Sequence, residues 1–138
     1  MKPLFFAHPI VLIGFGSVGR GLLPLLLRHF DGDPGRITVI DPDAGGRAMA
    51  EVAGARFWPQ HVTPDNYRQL LDDALGIEPE NGFILQLANE VSSLDLMAYA
   101  ATRKVHYLDT VVEPWPGFYF TRNTALHERT NTYLRAQI

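Results

Sequence analysis

The chain has 138 residues, 46% of them hydrophobic, which is enough for one compact domain with its own core. Its formal charge is −3, so it lacks the positive excess with which proteins bind nucleic acids or anionic membranes. It has no cysteine, which excludes disulfides and thiolate chemistry and fits a reducing, cytoplasmic location, and no apolar run is long enough to cross a membrane.

The first half of the sequence alternates between strand and helix patterns. The apolar N-terminal run is interrupted by His8 and Pro9, so we expect a buried strand there rather than a signal peptide. The continuous aliphatic run at 10–13 is typical of a strand buried on both faces of a parallel sheet. The elements predicted next are a helix at 18–30 with Pro24 inside it, a strand at 37–40, a helix at 44–53 and a strand at 55–58.

The second half continues the same alternation. It predicts a helix at 64–75, a strand at 83–87, a helix at 92–103, a strand at 105–108 and a final helix in the second half of 121–138, capped by Thr130 or Asn131. Strands separated by helices require crossover connections, so residues 1–138 are predicted to form one doubly wound parallel α/β domain of the Rossmann type, three layers deep with about five strands. A sixth strand is missing, so either the sheet ends at five strands or the sequence is truncated.

A glycine-rich motif follows the first buried strand: Gly14, Phe15, Gly16, Ser17, Val18 and Gly19 match G-x-G-x-x-G. Gly14 would permit a tight turn, Gly16 would let the backbone approach a diphosphate, and Gly19 would let helix and strand pack closely. The helix N-terminus would then offer free amides and a partial positive charge to the phosphates. The alternative is an ordinary strand-to-helix turn, which glycine also serves.

Asp41 ends the second strand of this unit, 22 residues after Gly19 (41 − 19) and close to the roughly 20 expected for an acid that binds the adenosine ribose. Its carboxylate would accept hydrogen bonds from the ribose hydroxyls and repel a 2′-phosphate, so NAD is the predicted cofactor rather than NADP. Asp41 could instead only begin a turn with Pro42, and Arg47 could approach a phosphate.

Ligands of open parallel sheets bind beyond the carboxyl ends of the strands, which singles out residues 58–61, 87–90 and 109–115. We therefore predict that Leu87 and Ala88 line the adenosine side and that Asp109, Thr110 and Val111 line the nicotinamide side, although each could be ordinary loop. The stiff loop that follows carries Glu113 and Trp115 between prolines, where a carboxylate would suit a cationic substrate. The alternative is an exposed acid beside a tryptophan that fills the core. The five histidines have no metal-ligand spacing, so no metal is expected.

Several segments together resemble one family, the bacterial homospermidine synthases of the saccharopine-dehydrogenase-like group. The resemblance covers nearly the whole chain and is carried by residues 11–21, 39–42, 92–95 and, most specifically, 109–115. It implies that NAD oxidises putrescine to an imine, a second diamine adds, ammonia leaves, and the retained NADH reduces the product to homospermidine. It also places Glu113 and Glu90 at the diamine pocket, and assigns Trp115 to the same catalytic site.

The family members are several times longer than this chain, and their second domain supplies most of the amine pocket. We therefore expect this chain to bind NAD but to be inactive alone, because hydride transfer requires the donor carbon to be held against the nicotinamide. Surface left open without that domain would favour a homo-oligomer. The alternatives are a stand-alone NAD-sensing module, which would not need the Glu-Pro-Trp loop, and an S-adenosylmethionine-binding domain, which explains the three glycines less well.

Overall fold

The computed structural model describes residues 3–138 as a five-stranded parallel sheet with helices on both faces, accompanied by a two-stranded parallel sheet. The strands and helices are β1 (Leu4–Phe5), β2 (Ile10–Ile13), α1 (Ser17–His29), β3 (Phe30–Asp31), β4 (Ile37–Ile40), α2 (Arg47–Val52), β5 (Arg56–Trp58), α3 (Tyr67–Leu75), β6 (Phe83–Gln86), α4 (Ser93–Arg103), β7 (His106–Asp109) and α5 (Asn131–Arg135). Short 3-10 turns lie at Pro34–Arg36, Ala44–Gly46, Phe118–Phe120 and Leu126–Glu128.

The strand order in the large sheet is β5-β4-β2-β6-β7, and every neighbouring pair is parallel. The order reverses at β2, since the chain first builds outward through β4 to β5 and then crosses back to β6 and β7. This is a doubly wound sheet, as the sequence predicted. All five strands therefore end at one edge, and the crevice at the reversal point lies between the ends of β2, β4 and β6.

Two hydrophobic clusters hold the helices to the sheet. Residues of β2, α3 and α4 build one cluster, with Val11, Leu71 and Leu96 each no more than 1% exposed. Residues of β2, α1 and β4 build the other, on the opposite face, with Leu12 and Leu23 fully buried. Because β2 and β4 are covered on both faces, every one of their residues is buried, which explains their uninterrupted aliphatic sequences.

The main differences from the sequence predictions lie at the chain start and at two helix N-termini. The buried strand expected near the N-terminus is β2, as predicted, but it is preceded by an unpredicted strand, β1, whose Leu4 and Phe5 are 69% and 77% exposed and pair with β3 outside the large sheet. Helices α2 and α3 begin about one turn later than predicted. Before α2 the Asp43 carboxylate accepts the Gly45 amide at 2.9 Å, and before α3 the Asn66 side chain accepts the Thr63 amide at 2.8 Å, so local turns replace the first helical turn.

The C-terminal part contains a single short helix. Thr130 caps α5 by accepting the Tyr133 amide at 3.1 Å, as one of the two predicted caps. The Asn131 side chain donates to the Val112 carbonyl, so α5 lies against the loop that follows β7. In the part of the chain that the structure describes, no sixth strand joins the large sheet, and no helix is both long and apolar enough to cross a bilayer.

Candidate cofactor-binding site

The turn from β2 into α1 requires glycine at its first and last motif positions. Gly14 has φ +90°, and a Cβ there would lie 2.7 Å from the Ala88 nitrogen, so a side chain is excluded by both conformation and space. A Cβ on Gly19 would lie 2.5 Å from the Gly14 carbonyl oxygen. These two glycines therefore let the helix start directly against the end of the sheet.

The N-terminus of α1 presents free amides at an open position. The first helical hydrogen bond runs from the Arg20 amide to the Gly16 carbonyl at 2.9 Å, and no side chain caps the helix. Within residues 3–138 the amides of Gly16, Ser17 and Val18 have no hydrogen-bond acceptor. A Cβ on Gly16 would meet no atom within 4 Å, so the space beside Gly16, at the border of the cleft, is open. This is the arrangement that binds an anion.

The preceding two amides of the motif are used inside the protein. The Gly14 amide donates to the Ile40 carbonyl at 2.9 Å, and the Phe15 amide donates to Asp41 Oδ2 at 2.5 Å. The Phe15 ring is only 2% exposed and packs edge-on against Phe57. Gly14 and Phe15 therefore fasten the loop to the end of β4, and the amides that follow them at the start of α1 are left for an anion.

Asp41 stands at the carboxyl end of β4, as predicted. Besides the Phe15 amide, its carboxylate accepts the Asp43 amide at 2.7 Å through Oδ1. Asp41 therefore begins a local turn and also borders the glycine loop. Its role in the turn is compatible with the predicted role in binding a ribose. The carboxylate is partly exposed at the lip of a cleft of about 280 Å³ between the strand ends.

The cleft brings together residues from four strand ends. It is lined by Ile13, Gly14, Gly16, Ile40, Asp41, Pro42, Gln60, His61, Val62, Leu87, Ala88, Asn89 and Val91. Leu87 and Ala88 were predicted here, whereas Gln60, His61 and Asn89 lie in the loops that the sequence singled out but received no role of their own. Their position after β5 and β6 was the available signal, because the loops after these strands open onto the same edge.

A second cluster joins the two predicted glutamates. The Glu90 amide points at Glu113 Oε2 at 3.4 Å, so the two residues are neighbours although 23 positions separate them in the sequence. Buried Ser93 at the start of α4 fixes Glu113 from both sides: its amide donates to the Glu113 carbonyl at 2.8 Å and its Oγ accepts the Glu113 amide at 3.0 Å. Ser93 was not predicted, because a serine at a helix start ordinarily serves as a cap.

Asp109 lies at the carboxyl end of β7, where Tyr107 of the same strand donates to its Oδ2 at 2.9 Å. Burial raises the pKa of the Tyr107 phenol above its usual value, and the neighbouring Asp109 carboxylate adds to the rise while Ser93 opposes it. The phenol is therefore a neutral donor at physiological pH. Thr110 and Val111 follow on the exposed rim of the strand end.

Trp115 occupies a packing position. Its indole Nε1 donates to Asp95 Oδ2 at 2.5 Å, and its ring lies 5.6 Å from the ring of Tyr67 at the edge of the core. These contacts anchor the loop after β7 to α3 and α4. The assignment of Trp115 to catalysis stays a prediction, and the contacts agree with the alternative of a tryptophan that fills the core. Among residues 3–138 no three His, Asp or Glu side chains gather as they would around a metal ion.

The reversed strand order, the glycine turn with free helix amides and the acid after β4 together define a Rossmann-type dinucleotide-binding domain. Comparison with known proteins agrees with this class. Residues 10–138 match the family described as the saccharopine dehydrogenase NADP binding domain, and the chain belongs to that family.

Two curated relatives are homospermidine synthases. That of Blastochloris viridis is 49% identical over 130 residues, and that of Mesorhizobium japonicum is 45% identical over 127 residues. These matches cover 94% and 92% of this chain but only 27% and 26% of the relatives, so the chain spans about a quarter of their length. The crystal structure of the homospermidine synthase of Legionella pneumophila in complex with NAD superposes with a TM-score of 0.79 at 28% identity, covering 97% of this chain and 28% of that one. The predicted fold class and family resemblance are confirmed.

Proposed function

We propose that the chain binds NAD at the carboxyl edge of its sheet and serves as the cofactor domain of a homospermidine-synthase-like enzyme. The observation that carries the proposal is the set of free amides at Gly16, Ser17 and Val18, which open onto clear space beside the Asp41 carboxylate. A diphosphate needs the amides and a ribose needs the carboxylate, and a dinucleotide presents the two groups side by side.

The other predicted site residues are assigned to parts of the dinucleotide by their positions along the carboxyl edge of the sheet. Gly14, Phe15 and Gly19 shape the turn, while the amides of Gly16, Ser17 and Val18 hold the diphosphate. Asp41 accepts hydrogen bonds from the adenosine ribose, and Leu87 and Ala88 form the wall of the adenosine cleft. Asp109, Thr110 and Val111, at the end of β7, border the nicotinamide end.

The choice of NAD over NADP rests on Asp41. The family description names NADP, whereas the Legionella pneumophila relative was solved with NAD. In this chain the carboxylate stands where the ribose 2′-position is expected, so a 2′-phosphate would bring like charges together at a partly buried site. The internal hydrogen bonds to Phe15 and Asp43 hold the carboxylate in place, which makes it hard for the side chain to turn away from such a phosphate.

The proposal is tested by calorimetric titration with NAD and NADP. The wild-type chain should bind NAD more tightly, and Gly16→Val should abolish NAD binding while the fold persists, because the new side chain meets no protein atom and fills the diphosphate position. Gly21→Val is the matched control: Gly21 lies within α1 and, like Gly16, has no atom within 4 Å of a Cβ, but it is not among the residues that line the cleft, so NAD affinity should be unchanged. Equal affinity for both nucleotides would remove the role of Asp41, and full binding by Gly16→Val would remove that of the amides.

The diamine chemistry is proposed for an enzyme of the relatives' full length, in which a domain like this one forms about a quarter. When bound, NAD supplies the acceptor for a hydride from the amine-bearing carbon of putrescine. Glu113 and Glu90 stand together at the strand ends, where their carboxylates can hold ammonium groups by charge and hydrogen bonds. Trp115 keeps the Glu113 loop in place through Asp95 and Tyr67. We further propose a cytoplasmic location, consistent with the absence of cysteine.

The chain alone should release no homospermidine when incubated with NAD and putrescine. Glu90 is exposed and Glu113 only half-buried, so these residues cannot by themselves exclude water or hold the donor carbon against the nicotinamide. Mass spectrometry of the products provides the measurement, and appreciable turnover would contradict the requirement for a further domain. The NAD-sensor alternative is not favoured, because a sensor has no need of the anchored Glu-Pro-Trp loop.

A further inference from the structure

Gln86 is the last residue of β6, and its side chain is only 1% exposed. We propose that Gln86 is a positioning residue whose buried amide sets the conformation of the loop 87–91, and with it both the wall of the cofactor cleft and the backbone of Glu90. The inference rests on the proposed function, since it concerns how the NAD site keeps its shape.

One side-chain amide closes the loop. Gln86 Nε2 donates to the carbonyls of Ala88 and Val91, both at 2.9 Å, and Oε1 accepts the Ala88 amide at 3.0 Å. Both donors of the amide group and its oxygen are therefore used on a segment of five residues. In a site closed to water each of these partners depends on Gln86, because no solvent molecule can replace a lost hydrogen bond without opening the loop.

The loop that Gln86 holds is also the far wall of the cleft. Leu87, Ala88, Asn89 and Val91 all line it, and the Leu87 amide donates to the Ile13 carbonyl at 2.8 Å. Ala88 lies so close to Gly14 that a Cβ on that glycine would be 2.7 Å from the Ala88 nitrogen. A shift of Ala88 would therefore change the space between this wall and the glycine turn, where the dinucleotide has to fit.

The hydrogen bonds of Gln86 to Ala88 and Val91, here called the Gln86 clamp, also fix the backbone of Glu90. Gln86 holds the loop at Ala88 before this residue and at Val91 after it, and Glu90 between them has φ +59°, a conformation that side chains rarely adopt. With this backbone the Glu90 amide points at Glu113 Oε2. Gln86 therefore acts through the loop on both the cofactor cleft and the paired glutamates, while its own side chain faces neither.

The test compares Gln86→Met, which keeps the size of the side chain and removes all three hydrogen bonds, with the wild-type chain. NAD affinity is measured by calorimetry at a temperature where circular dichroism shows both proteins folded. We expect affinity to fall by about tenfold or more, as when a binding group is displaced by a distant change. Hydrogen–deuterium exchange should rise in residues 87–91 and stay unchanged in β2 and β4.

Leu71→Ala is the control for a loss of stability alone. Leu71 is a buried residue of α3 and is not among the residues that line the cleft, so its truncation should destabilise the fold and leave NAD affinity unchanged. If Gln86→Met does not fold, Gln86→Leu carries the same test, since it also removes all three hydrogen bonds with an uncharged side chain of similar volume. If the folded Gln86 variant bound NAD as tightly as the wild-type chain and showed the same exchange at 87–91, this inference would be overturned while the proposed function would stand. Failure of the wild-type chain to bind NAD would overturn the proposed function, and this inference with it.

Discussion

Glu90 holds a left-handed backbone conformation, φ +59°, on an exposed turn between β6 and α4. For a residue with a Cβ this conformation costs about 1–2 kcal/mol, whereas glycine adopts it freely. Glycine also makes the unfolded chain more flexible, which offsets about 0.4–1 kcal/mol of that gain. Strain of this kind persists where the surrounding structure imposes it, and here the Gln86 clamp on both sides of Glu90 does so.

We therefore predict that Glu90→Gly raises the free energy of unfolding by about 0.5–1 kcal/mol. Urea denaturation provides the measurement, and Glu90→Ala is the matched control, since alanine removes the carboxylate and keeps the strained backbone. The gain should appear with glycine and be absent with alanine. If the two variants were equally stable, the backbone would carry no strain at this position.

At the residue scale, the sequence predicts the site residues that have a characteristic residue type at a characteristic spacing. It misses the residues whose role depends on contacts made only in the folded protein. The glycines and Asp41 follow a strand at fixed distances, so their placement could be predicted. The role of Gln86 could not be predicted, because a glutamine at the end of an apolar strand usually only marks where the strand ends. Its three hydrogen bonds form only when the loop folds back on its side chain. Ser93 is similar: its two bonds reach Glu113, 20 positions away.

Helix α1 continues without interruption through Pro24. The sequence predicted the helix and left its geometry at this proline open. Proline cannot donate to the carbonyl four residues earlier, that of Arg20, and its ring crowds the preceding turn, which costs about 3 kcal/mol in a helix interior. The packing of Leu23 and Leu26 on the sheet outweighs this cost, since both side chains are buried in the cluster beneath α1.

We predict that Pro24→Ala stabilises the protein by about 2 kcal/mol, the cost of the proline less the 0.4–1 kcal/mol by which it restricts the unfolded chain. Thermal and urea unfolding measure the change. Pro34 offers a control of opposite sign, because it opens a 3-10 turn, where the fixed φ of proline is favourable. Pro34→Ala should therefore lower the stability of the protein slightly. A loss of stability in Pro24→Ala would contradict the prediction and show that the Pro24 ring contributes favourable packing.

Among the elements, the buried strands and the helices between them were predictable because each carries an apolar pattern of the right period. The exposed β1 and β3 were not, since two-residue strands have no period to detect and pair outside the main sheet. The late starts of α2 and α3 depend on single side-chain bonds from Asp43 and Asn66, which compete with the first helical turn and can be judged only in three dimensions.

The two faces of the large sheet are covered unequally in the whole molecule. On the side of α3 and α4 the sheet is packed throughout, but on the side of α1 and α2 the half-face from the outer side of β6 to β7 has no helix over it within residues 3–138 beyond the contact of Leu26 with β6. Leu108 is 48% exposed there, and a wholly apolar hollow of about 230 Å³ lies beside it, lined by Phe6, Ile10, Leu26, Phe30, Phe83 and Leu85. Parallel sheets are nearly always covered on both faces, so this half-face is the surface on which the homo-oligomer expected from the sequence would form.

We predict that the purified chain self-associates through this half-face as its concentration rises, and that Leu108→Lys shifts it toward the monomer. A lysine on β7 places a charge where two copies would bury apolar surface, and it also blunts the unpaired edge of the sheet. Because the Leu108 side chain is already half in solvent, the fold should tolerate the change. Sedimentation or size-exclusion measurements over a concentration series give the fraction of self-associated protein for the wild-type chain and the variant.

Val52→Lys is the control, since Val52 is 91% exposed on α2, away from this surface, and its replacement should leave association unchanged. A wild-type chain that stays monomeric at every concentration would exclude this interface.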